Sequence, residues 1–182
     1  MITEGGGFKL PIGHDFVCQR GEKGKCQTKI IAKGVTGHGS TPDPYEKLAM
    51  YKLNKVLNKL KSKKRKIEMT EHYKQTIDSL SLPGAAKFLL KQKTIIRPLS
   101  KLASKVTGID FDKVILPLMQ NTMVPTIFNL GHKENVISPK GELTVDIRIL
   151  PGKTQEDIWN LLRKIVGKKL AQDLEFEIVN DY

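Results

Sequence analysis

Apolar and polar residues alternate along three stretches of the chain, and such alternation is typical of half-buried β-strands. The stretches are residues 25–35, 124–133 and 141–150. A shorter stretch at residues 174–180 predicts a fourth strand. We therefore expect the first three strands to bury one face each. The predicted apolar faces consist of Cys26, Thr28, Ile30 and Ala32 in the first strand, Val124, Thr126, Phe128 and Leu130 in the second, and Leu143, Val145, Ile147 and Ile149 in the third.

Apolar residues at helical spacing follow the first and the third strand. Thr41 is the predicted N-cap of the first helix, with Pro42 at the first helical position, and this helix extends to about residue 61. Thr154 is the predicted N-cap of the second helix. The order strand, helix, strand, strand, helix, strand predicts an α+β fold, the ferredoxin-like two-layer sandwich (βαββαβ). Its four-stranded antiparallel sheet carries both helices on one face.

Two segments fall outside this pattern. Residues 15–20 predict an extra N-terminal strand, joined by a turn to the first strand of the sandwich. Residues 62–120 are rich in Lys, Leu and Ser and predict two or three short helices. We interpret them as a helical insertion. Its predicted breaks lie near Pro83-Gly84, Pro98 and Gly108.

The charge of the chain is strongly positive, with 31 Lys and Arg against 19 Asp and Glu among 182 residues. Such a surface suits nucleic acid, an anionic membrane or acidic ligands, but it is also found on lysine-rich solvated proteins. The lysines are dispersed except at residues 59–66, which favours a solvated surface. Cys18 and Cys26 give neither a disulfide framework nor a zinc cage, so the expected location is the cytoplasm.

Two residues stand out as candidates for chemistry. His38 lies between two glycines, which permit positive φ, on a predicted turn before a helix. An imidazole there is able to hydrogen-bond a group outside the domain, or it is an ordinary surface histidine. Arg148 projects from the polar side of the third strand, and Asp146 lies on the same side. Either the two residues form an ion pair, or the guanidinium binds the carboxylate of a ligand through paired N–H donors.

Two further residues are weak candidates for a functional role when each is considered by itself. Asn135 ends the loop before the third strand, where asparagines commonly stabilise turns. Glu4 precedes three glycines, and a carboxylate in such a loop is able to bind a metal ion. The sequence contains no HExxH, P-loop or GxSxG motif to complete a site.

The segments EGGGF (4–8), KGVTGHGSTP (33–42) and NVISPKGELTVDIRILPG (135–152) together resemble the di-zinc family of aminoacylases and exopeptidases. That family includes acetylornithine deacetylase, succinyl-diaminopimelate desuccinylase, aminoacylase and the glutamate carboxypeptidases. Its members insert a ferredoxin-like lid and dimerisation domain into a zinc-binding catalytic domain. The resemblance implies that residues 1–14 are a remnant of the catalytic domain and that residues 15–182 form the lid, including the insertion at about 62–120.

The resemblance also implies a role for each candidate residue. His38 matches the histidine that enters the partner subunit's active site and stabilises the oxyanion of the tetrahedral intermediate. Asn135 matches an asparagine that the lid also supplies to the partner subunit's active site, where it lies near the substrate. Arg148 matches the arginine that binds the substrate's carboxylate, and Glu4 matches a ligand of one zinc ion.

The remaining zinc ligands and the general-base glutamate of this family are expected before residue 1 and after residue 182. The complete enzyme would thus hold two zinc ions, whereas this chain alone is expected to bind none and to hydrolyse nothing. The expected partners are a second copy of the chain and an N-acyl amino acid or small peptide, with neither nucleic acid nor membrane. Two alternatives stay open: a basic ferredoxin-like module that binds nucleic acid, and a freestanding ligand-binding dimer.

Overall fold

The computed structural model describes residues 22–63, 65–107, 110–114 and 116–181. Strands in these residues are β1 (Gly24–Lys33), β2 (Gly37–His38), β3 (Thr122–Leu130), β4 (Val136–Ile137), β5 (Lys140–Ile149) and β6 (Leu174–Asp181). The α-helices are α1 (Ala49–Ser62), α2 (Glu71–Ser79), α3 (Gly84–Leu90), α4 (Ile96–Thr107), α5 (Phe111–Val114), α6 (Gln155–Val166) and α7 (Lys168–Ala171). Two 3-10 helices span Tyr45–Lys47 and Leu116–Met119.

The chain forms two compact units. The sheet unit consists of Gly24–Arg65 and Thr122–Tyr182. The helical unit contains Lys66–Asn121, which corresponds to the predicted insertion.

The sheet unit is built on a four-stranded sheet in the order β3-β5-β1-β6. All three neighbouring pairs are antiparallel. If β1, β3, β5 and β6 are numbered 1 to 4 along the chain, their order across the sheet is 2-3-1-4. This is the ferredoxin-like order, so the predicted fold class is confirmed.

The core of the sheet unit lies between the sheet and the helices α1 and α6. The alternation in β1 and β5 directs one set of side chains to this core, as the sequence predicts. Full burial of a Leu or Ile side chain contributes about 1.5–3 kcal/mol relative to exposure, so this layer dominates the stability of the unit. Its fully buried members are Ile30, Ala32, Ala49, Leu53, Val56, Val145, Ile147, Leu162 and Val166.

The start of the first helix differs from the prediction. Helix α1 begins at Ala49 rather than at Pro42, and its N-cap, Leu48, makes no side-chain cap. Thr41 instead donates its backbone N–H to the His38 carbonyl oxygen at 3.1 Å. The physical reason is the second proline: the residue before Pro44 is disfavoured in the helical region, so the chain stays extended until the 3-10 turn.

The predicted face of β3 is wrong in its first half. The register shifts between Pro125 and Ile127, which leaves Thr126 as the extra residue of a β-bulge. Phe128 pairs with the core residue Leu143, whereas Val124 pairs with Asp146 on the opposite face of the sheet. A bulge reverses the alternation, and the hydrophobic pattern alone does not reveal it.

The helical unit has its own small core, formed by Ile67, Tyr73, Ile77, Ile96, Leu116 and Met119. It contains helices α2 to α5 and one 3-10 helix. The predicted break at Pro83-Gly84 is confirmed, since α3 begins at Gly84. The break predicted near Pro98 lies a few residues earlier, between the end of α3 at Leu90 and the start of α4 at Ile96. Pro98 itself lies in the first turn of α4, where its missing N–H costs no helical bond. Gly108 and the predicted strand at 15–20 lie outside the described residues.

Candidate functional site

The histidine singled out by the sequence lies on a two-stranded ribbon that continues beyond one end of the main sheet. Strand β2 pairs with β4, with His38 opposite Val136. Gly34, just after β1, donates its backbone N–H to the Pro139 carbonyl oxygen at 2.7 Å. Gly39 donates in the same way to the Asn135 carbonyl oxygen at 3.0 Å. These bonds fix the histidine turn to the segment that precedes β5.

The glycines on either side of His38 do not use the positive φ that the sequence analysis allowed for. Within the described ranges, positive φ occurs at Gly131, Gly152 and Gly167, and neither Gly37 nor Gly39 shares it. A Cβ at Gly37 or Gly39 would lie 3.6 Å or 3.7 Å from its nearest neighbour, so close packing does not require glycine at these positions either.

The ring of His38 is exposed and is held from one side by Ser40. The Nδ1 atom lies 2.7 Å from the Ser40 hydroxyl oxygen and accepts the backbone N–H of Ser40 at 3.2 Å. Because a backbone N–H only donates, Nδ1 acts as an acceptor, and the neutral ring carries its proton on Nε2. The imidazole thus presents an Nε2–H donor away from its own turn. Sequence reasoning missed Ser40, although its place two residues after the histidine is the available signal.

The structure brings Asn135 to His38. The side-chain nitrogen Nδ2 of Asn135 lies 3.4 Å from Nε2 of the imidazole. A half-turn of the amide presents its oxygen instead, so this side chain is able either to accept from Nε2–H or to add a second donor beside it. Both side chains are exposed, so the pair is accessible from outside the sheet unit.

An open cleft of about 620 Å³ adjoins this pair. Gly39 and Asn135 are among the residues that line it. The other lining residues come from the segment that leads into α1 and from residues 130–138, and they include His132, Lys133 and Glu134. The apolar lining residues are Pro42, Tyr45, Leu48, Met50, Leu130, Val136 and Ile137.

Arg148 lies on β5, opposite Lys25 of β1 and Thr122 of β3. Its Nη2 is 3.3 Å from Oδ2 of Asp146, so the ion pair considered from the sequence is present. The arginine side chain is nevertheless 48% exposed, which leaves much of the guanidinium fork accessible. The ion pair therefore does not remove Arg148 from consideration as a carboxylate-binding residue.

The structure does not bring Arg148 to the His38–Asn135 pair. Strand β5 starts at Lys140, beside the ribbon, and Arg148 lies eight residues further along it. At about 3.3 Å per residue, this places the arginine roughly 25 Å from the ribbon end of the sheet. Glu4, the remaining candidate, lies outside the described residues.

A metal centre is not found in the part of the chain that the structure describes. No group of three or more His, Cys, Asp or Glu side chains there is arranged to hold a metal ion. In the same residues, no helix is long and apolar enough to cross a membrane.

The fold and the histidine turn are consistent with the resemblance found in the sequence. Comparison with protein-family sequence models identifies the family to which the chain belongs. A sequence model described as "Peptidase dimerisation domain" matches residues 20–174. The chain belongs to this family. The peptidase dimerisation domain therefore includes β1 with the His38 turn, and also β5 with Arg148.

Two curated relatives are similar in sequence. The chain is 27% identical over 150 residues to "Probable carboxypeptidase S-like 2" of Dictyostelium discoideum, which covers 80% of the chain and 27% of that protein. It is 38% identical over 55 residues to human "N-fatty-acyl-amino acid synthase/hydrolase PM20D1", which covers 30% of the chain and 11% of that protein. The chain thus spans about a quarter or less of the length of these relatives.

Two solved structures share the fold. Human carnosine dipeptidase 1 superposes with a TM-score of 0.52 at 10% identity, covering 87% of this chain and 36% of that one. The M20 family metallo-carboxypeptidase Sso-CP2 from Sulfolobus solfataricus gives a TM-score of 0.52 at 14% identity, covering 86% and 42%. At these identities the likeness supports the fold alone.

Proposed function

We propose that this chain is the lid and dimerisation domain of a zinc-dependent exopeptidase or amidohydrolase that hydrolyses N-acyl amino acids or small peptides. Within this proposal, residues 1–14 belong to the catalytic domain and residues 15–182 form the lid. The observation that carries it is the His38–Asn135 pair, which lies exposed on a ribbon beyond the sheet of a peptidase dimerisation domain. An imidazole held there is suited to act on a group outside its own sheet unit.

The proposed role of His38 depends on the proton that its ring carries on Nε2. Hydrolysis of an amide develops negative charge on the carbonyl oxygen, and a preorganised donor aimed at that oxygen stabilises the transition state by about 3 kcal/mol. With Nδ1 accepting from Ser40, the ring is ready to supply Nε2–H for this purpose. Asn135 lies beside the imidazole and either orients the ring through a hydrogen bond or supplies a second hydrogen-bond donor.

The proposed role of Arg148 requires a second copy of the chain. We assign it to the carboxylate of the substrate, which its planar fork suits. An amino acid derivative with a short acyl group is far shorter than the roughly 25 Å that separates Arg148 from the ribbon along β5. A substrate of that size which contacts both residues must therefore take the imidazole from one subunit and the guanidinium from the other.

The edge of the sheet at β3 suits the proposed homodimer. Its sequence, TMVPTIFNL, contains no charged residue, and Val124, Ile127 and Phe128 are 54%, 52% and 45% exposed. The opposite edge, β6, carries the exposed carboxylates Glu175 and Glu177, and charges of this kind block edge pairing. We therefore place the contact with the second copy at β3, past its bulge, across a two-fold axis.

The two zinc ions and the general base belong, in this proposal, to parts of a longer protein outside the described residues. The described residues do not form a metal site, and the roles proposed for His38, Asn135 and Arg148 are hydrogen-bonding roles of their own side chains. We also propose a cytoplasmic location, since a chain with two cysteines, one of them the buried free thiol of Cys26, suits a reducing compartment.

The nucleic-acid alternative has less support. RNA-binding sheets of this topology stack bases on aromatic side chains of their central strands. The central strands here are β1 and β5, and neither contains an aromatic residue. The positive charge by itself predicts only weak, salt-sensitive binding.

The decisive variant is His38→Ala in an enzyme that contains this chain. We expect kcat to fall by about 100-fold to 1,000-fold with little change in KM, because the lost donor acts on the transition state. Steady-state kinetics with an N-acyl amino acid measures both constants.

The matched control is His72→Ala, which removes an exposed histidine from α2 in the helical unit. This variant should retain the kinetics of the parent enzyme. Turnover of the His38→Ala enzyme within about twofold of the parent would contradict the assigned role.

A further inference from the structure

Two stretches of the chain combine many basic residues with no acidic ones. Residues 47–67 contain nine Lys and Arg, residues 79–107 contain six, and neither stretch contains Asp or Glu. In the first stretch, which includes α1, the described residues beyond Tyr51 expose no large apolar side chain. The second stretch, here called the α3–α4 segment, contains Phe88 and Leu102, which at 64% and 60% are the most exposed large apolar side chains in the described part of the chain.

These side chains are exposed although the helices that carry them are packed. On α3, Leu90 packs against the small core of the helical unit, and its carbonyl oxygen accepts a hydrogen bond from the Tyr73 hydroxyl at 3.1 Å. On α4, Ile96 and Ser100 are buried, at 0% and 3% exposure. Leu102 lies two residues after Ser100, and a turn of about 100° per residue places it on the opposite face of the helix. The apolar residues that point outward are therefore a fixed feature of the surface.

Exposed lysines accompany these apolar residues. Lys101 and Lys105 are both exposed, and Lys105 lies three residues after Leu102, so the two are neighbours on the surface of α4. Lys93 is exposed in the short connection between α3 and α4, which contact each other. Lys91 contributes less charge, because it forms an ion pair with a carboxylate of α2. The surface of the α3–α4 segment thus combines apolar side chains with positive charge.

A surface of this composition fits an anionic lipid bilayer. Apolar side chains enter the boundary between headgroups and acyl chains, while lysine stems lie along that boundary and their ammonium groups reach the phosphates. Nucleic acid would pair with the lysines but leave Phe88 and Leu102 in water. A protein groove that binds a basic amphipathic helix needs the apolar face of the helix, and in α4 Ile96 on that face is buried in the core of the helical unit. A second copy would bring lysines against lysines.

We propose that the α3–α4 segment docks the chain onto the surface of an anionic lipid bilayer. Phe88, Leu89 and Leu102 enter the interface, and the exposed lysines contact the headgroup phosphates. This differs from the sequence-based expectation of no membrane partner, because the pattern of residues along the chain does not reveal which apolar side chains stay exposed. Each lysine near the surface should strengthen binding about fivefold.

Vesicle binding by the 182-residue chain tests the proposal. The vesicles consist of phosphatidylcholine alone or of phosphatidylcholine with about 30% phosphatidylglycerol. Cosedimentation is measured at about 0.1 M and about 0.5 M NaCl. We expect binding to the anionic vesicles to be stronger by about tenfold or more at the lower salt concentration, and to weaken about fivefold or more at the higher one.

The lysine contribution is tested by Lys101→Gln combined with Lys105→Gln. The matched control combines Lys55→Gln with Lys59→Gln, which removes two exposed lysines at the same spacing from the basic stretch on α1. The first pair should weaken binding to anionic vesicles by about tenfold or more, and the control pair by less than about twofold. Gln and Lys have similar helix propensities, so both proteins should fold, which circular dichroism checks.

The apolar contribution is tested by Phe88→Ala and Leu102→Ala, made separately. Each should weaken binding about fivefold or more, because less apolar surface leaves water. Met50→Ala is the control, since it shortens a 55% exposed side chain on α1 and should leave binding unchanged. In a Phe88→Trp variant, fluorescence should shift to the blue with anionic vesicles only, and the parent chain with its single Trp159 provides the reference.

Four results would overturn the proposal. Binding that is absent, or equal for the two kinds of vesicle, would exclude an anionic bilayer as the partner. Equal weakening by the two lysine pairs would mean that the α3–α4 segment is not the docking surface. Weakening by the lysine variants alone would indicate a general polyanion site, such as one for nucleic acid. Dissociation of a dimer by Phe88→Ala or Leu102→Ala without vesicles would show that a second copy covers this surface.

Discussion

His38 owes its orientation to Ser40, two residues later in the chain. The backbone N–H and the hydroxyl of Ser40 both engage Nδ1, which leaves Nε2 to carry the proton. A contact this local forms wherever the ribbon forms, so it was predictable in principle from the Gly-His-Gly-Ser spacing. The contact between His38 and Asn135 was not, because 97 residues separate them along the chain.

Gly34 provides a stability test at the residue scale. A Cβ at this position would lie 2.4 Å from the backbone nitrogen of Ala49 and 2.7 Å from the carbonyl oxygen of Lys47. Since both atoms belong to the backbone, they cannot move aside as a flexible side chain would. We expect Gly34→Ala to lower the free energy of unfolding by about 3 kcal/mol, measured by urea denaturation.

Gly37→Ala is the matched control for Gly34→Ala. It lies three residues away in the same unit, and its Cβ would meet only Ile137 Cδ1 at an ordinary 3.6 Å. The change in stability should stay within about 0.5 kcal/mol. Similar losses in both variants would show that the close approach of Gly34 to the start of α1 is not what restricts this position.

At the element scale, the two threonines predicted as helix N-caps behave differently. Thr154 forms a capping box, in which its hydroxyl accepts the Asp157 backbone N–H and the Asp157 carboxylate accepts the Thr154 backbone N–H. Thr41 has no such role, because α1 starts eight residues later at Ala49. We expect Thr154→Ala to destabilise the chain by about 1 kcal/mol in urea denaturation.

Thr41→Ala is the control for the cap, and its stability should match the parent within about 0.5 kcal/mol. A comparable loss from Thr41→Ala would contradict the observed start of α1. Both threonines precede helical patterns in the sequence, and only the second proline of Thr-Pro-Asp-Pro distinguishes the first.

The helical unit should show a pH dependence that arises from Tyr73. Its hydroxyl donates to the Leu90 carbonyl oxygen at 3.1 Å, and burial raises the pKa of Tyr73 to about 12 from 10.0. Above about pH 10 the tyrosine ionises in the unfolded chain while it stays neutral in the folded one. Stability present below about pH 10 is therefore lost as the pH rises toward about 12.

Tyr73→Phe isolates this contribution. Denaturation at about pH 8 and about pH 11 should show a smaller loss of stability in the variant than in the parent chain. Equal losses in the two proteins would mean that Tyr73 is not the group responsible.

At the scale of the whole molecule, the uncharged edge at β3 predicts a dimer. Sedimentation at micromolar concentration should show two copies, and Ile127→Lys should raise the dissociation constant at least tenfold, about 1.4 kcal/mol. Ile127 is 52% exposed, so the substitution does not disturb the core.

Val179→Lys is the matched control, since Val179 is a 41% exposed residue on β6, at the other edge of the sheet. It should leave the dimer intact. If Val179→Lys dissociated the dimer and Ile127→Lys did not, the interface would lie at β6 rather than at β3.

Elements whose signals are local could be predicted from the amino-acid sequence. Alternation in β1 and β5, helical spacing in α6 and the Thr154 cap depend on neighbours along the chain, and each was predicted correctly. The order of these elements then predicted the ferredoxin-like sheet, because short connections and antiparallel pairing leave few alternatives.

Features that depend on residues far apart in the chain could not be predicted in this way and are defined by the folded structure. The bulge at Thr126 is defined by pairing with β5, and the cleft needs the segment before α1 to face β4. The meeting of His38 with Asn135, and the placement of Arg148 at the far end of β5, likewise follow from strand register. Register arises from long-range packing, which no local pattern of hydrophobic residues encodes.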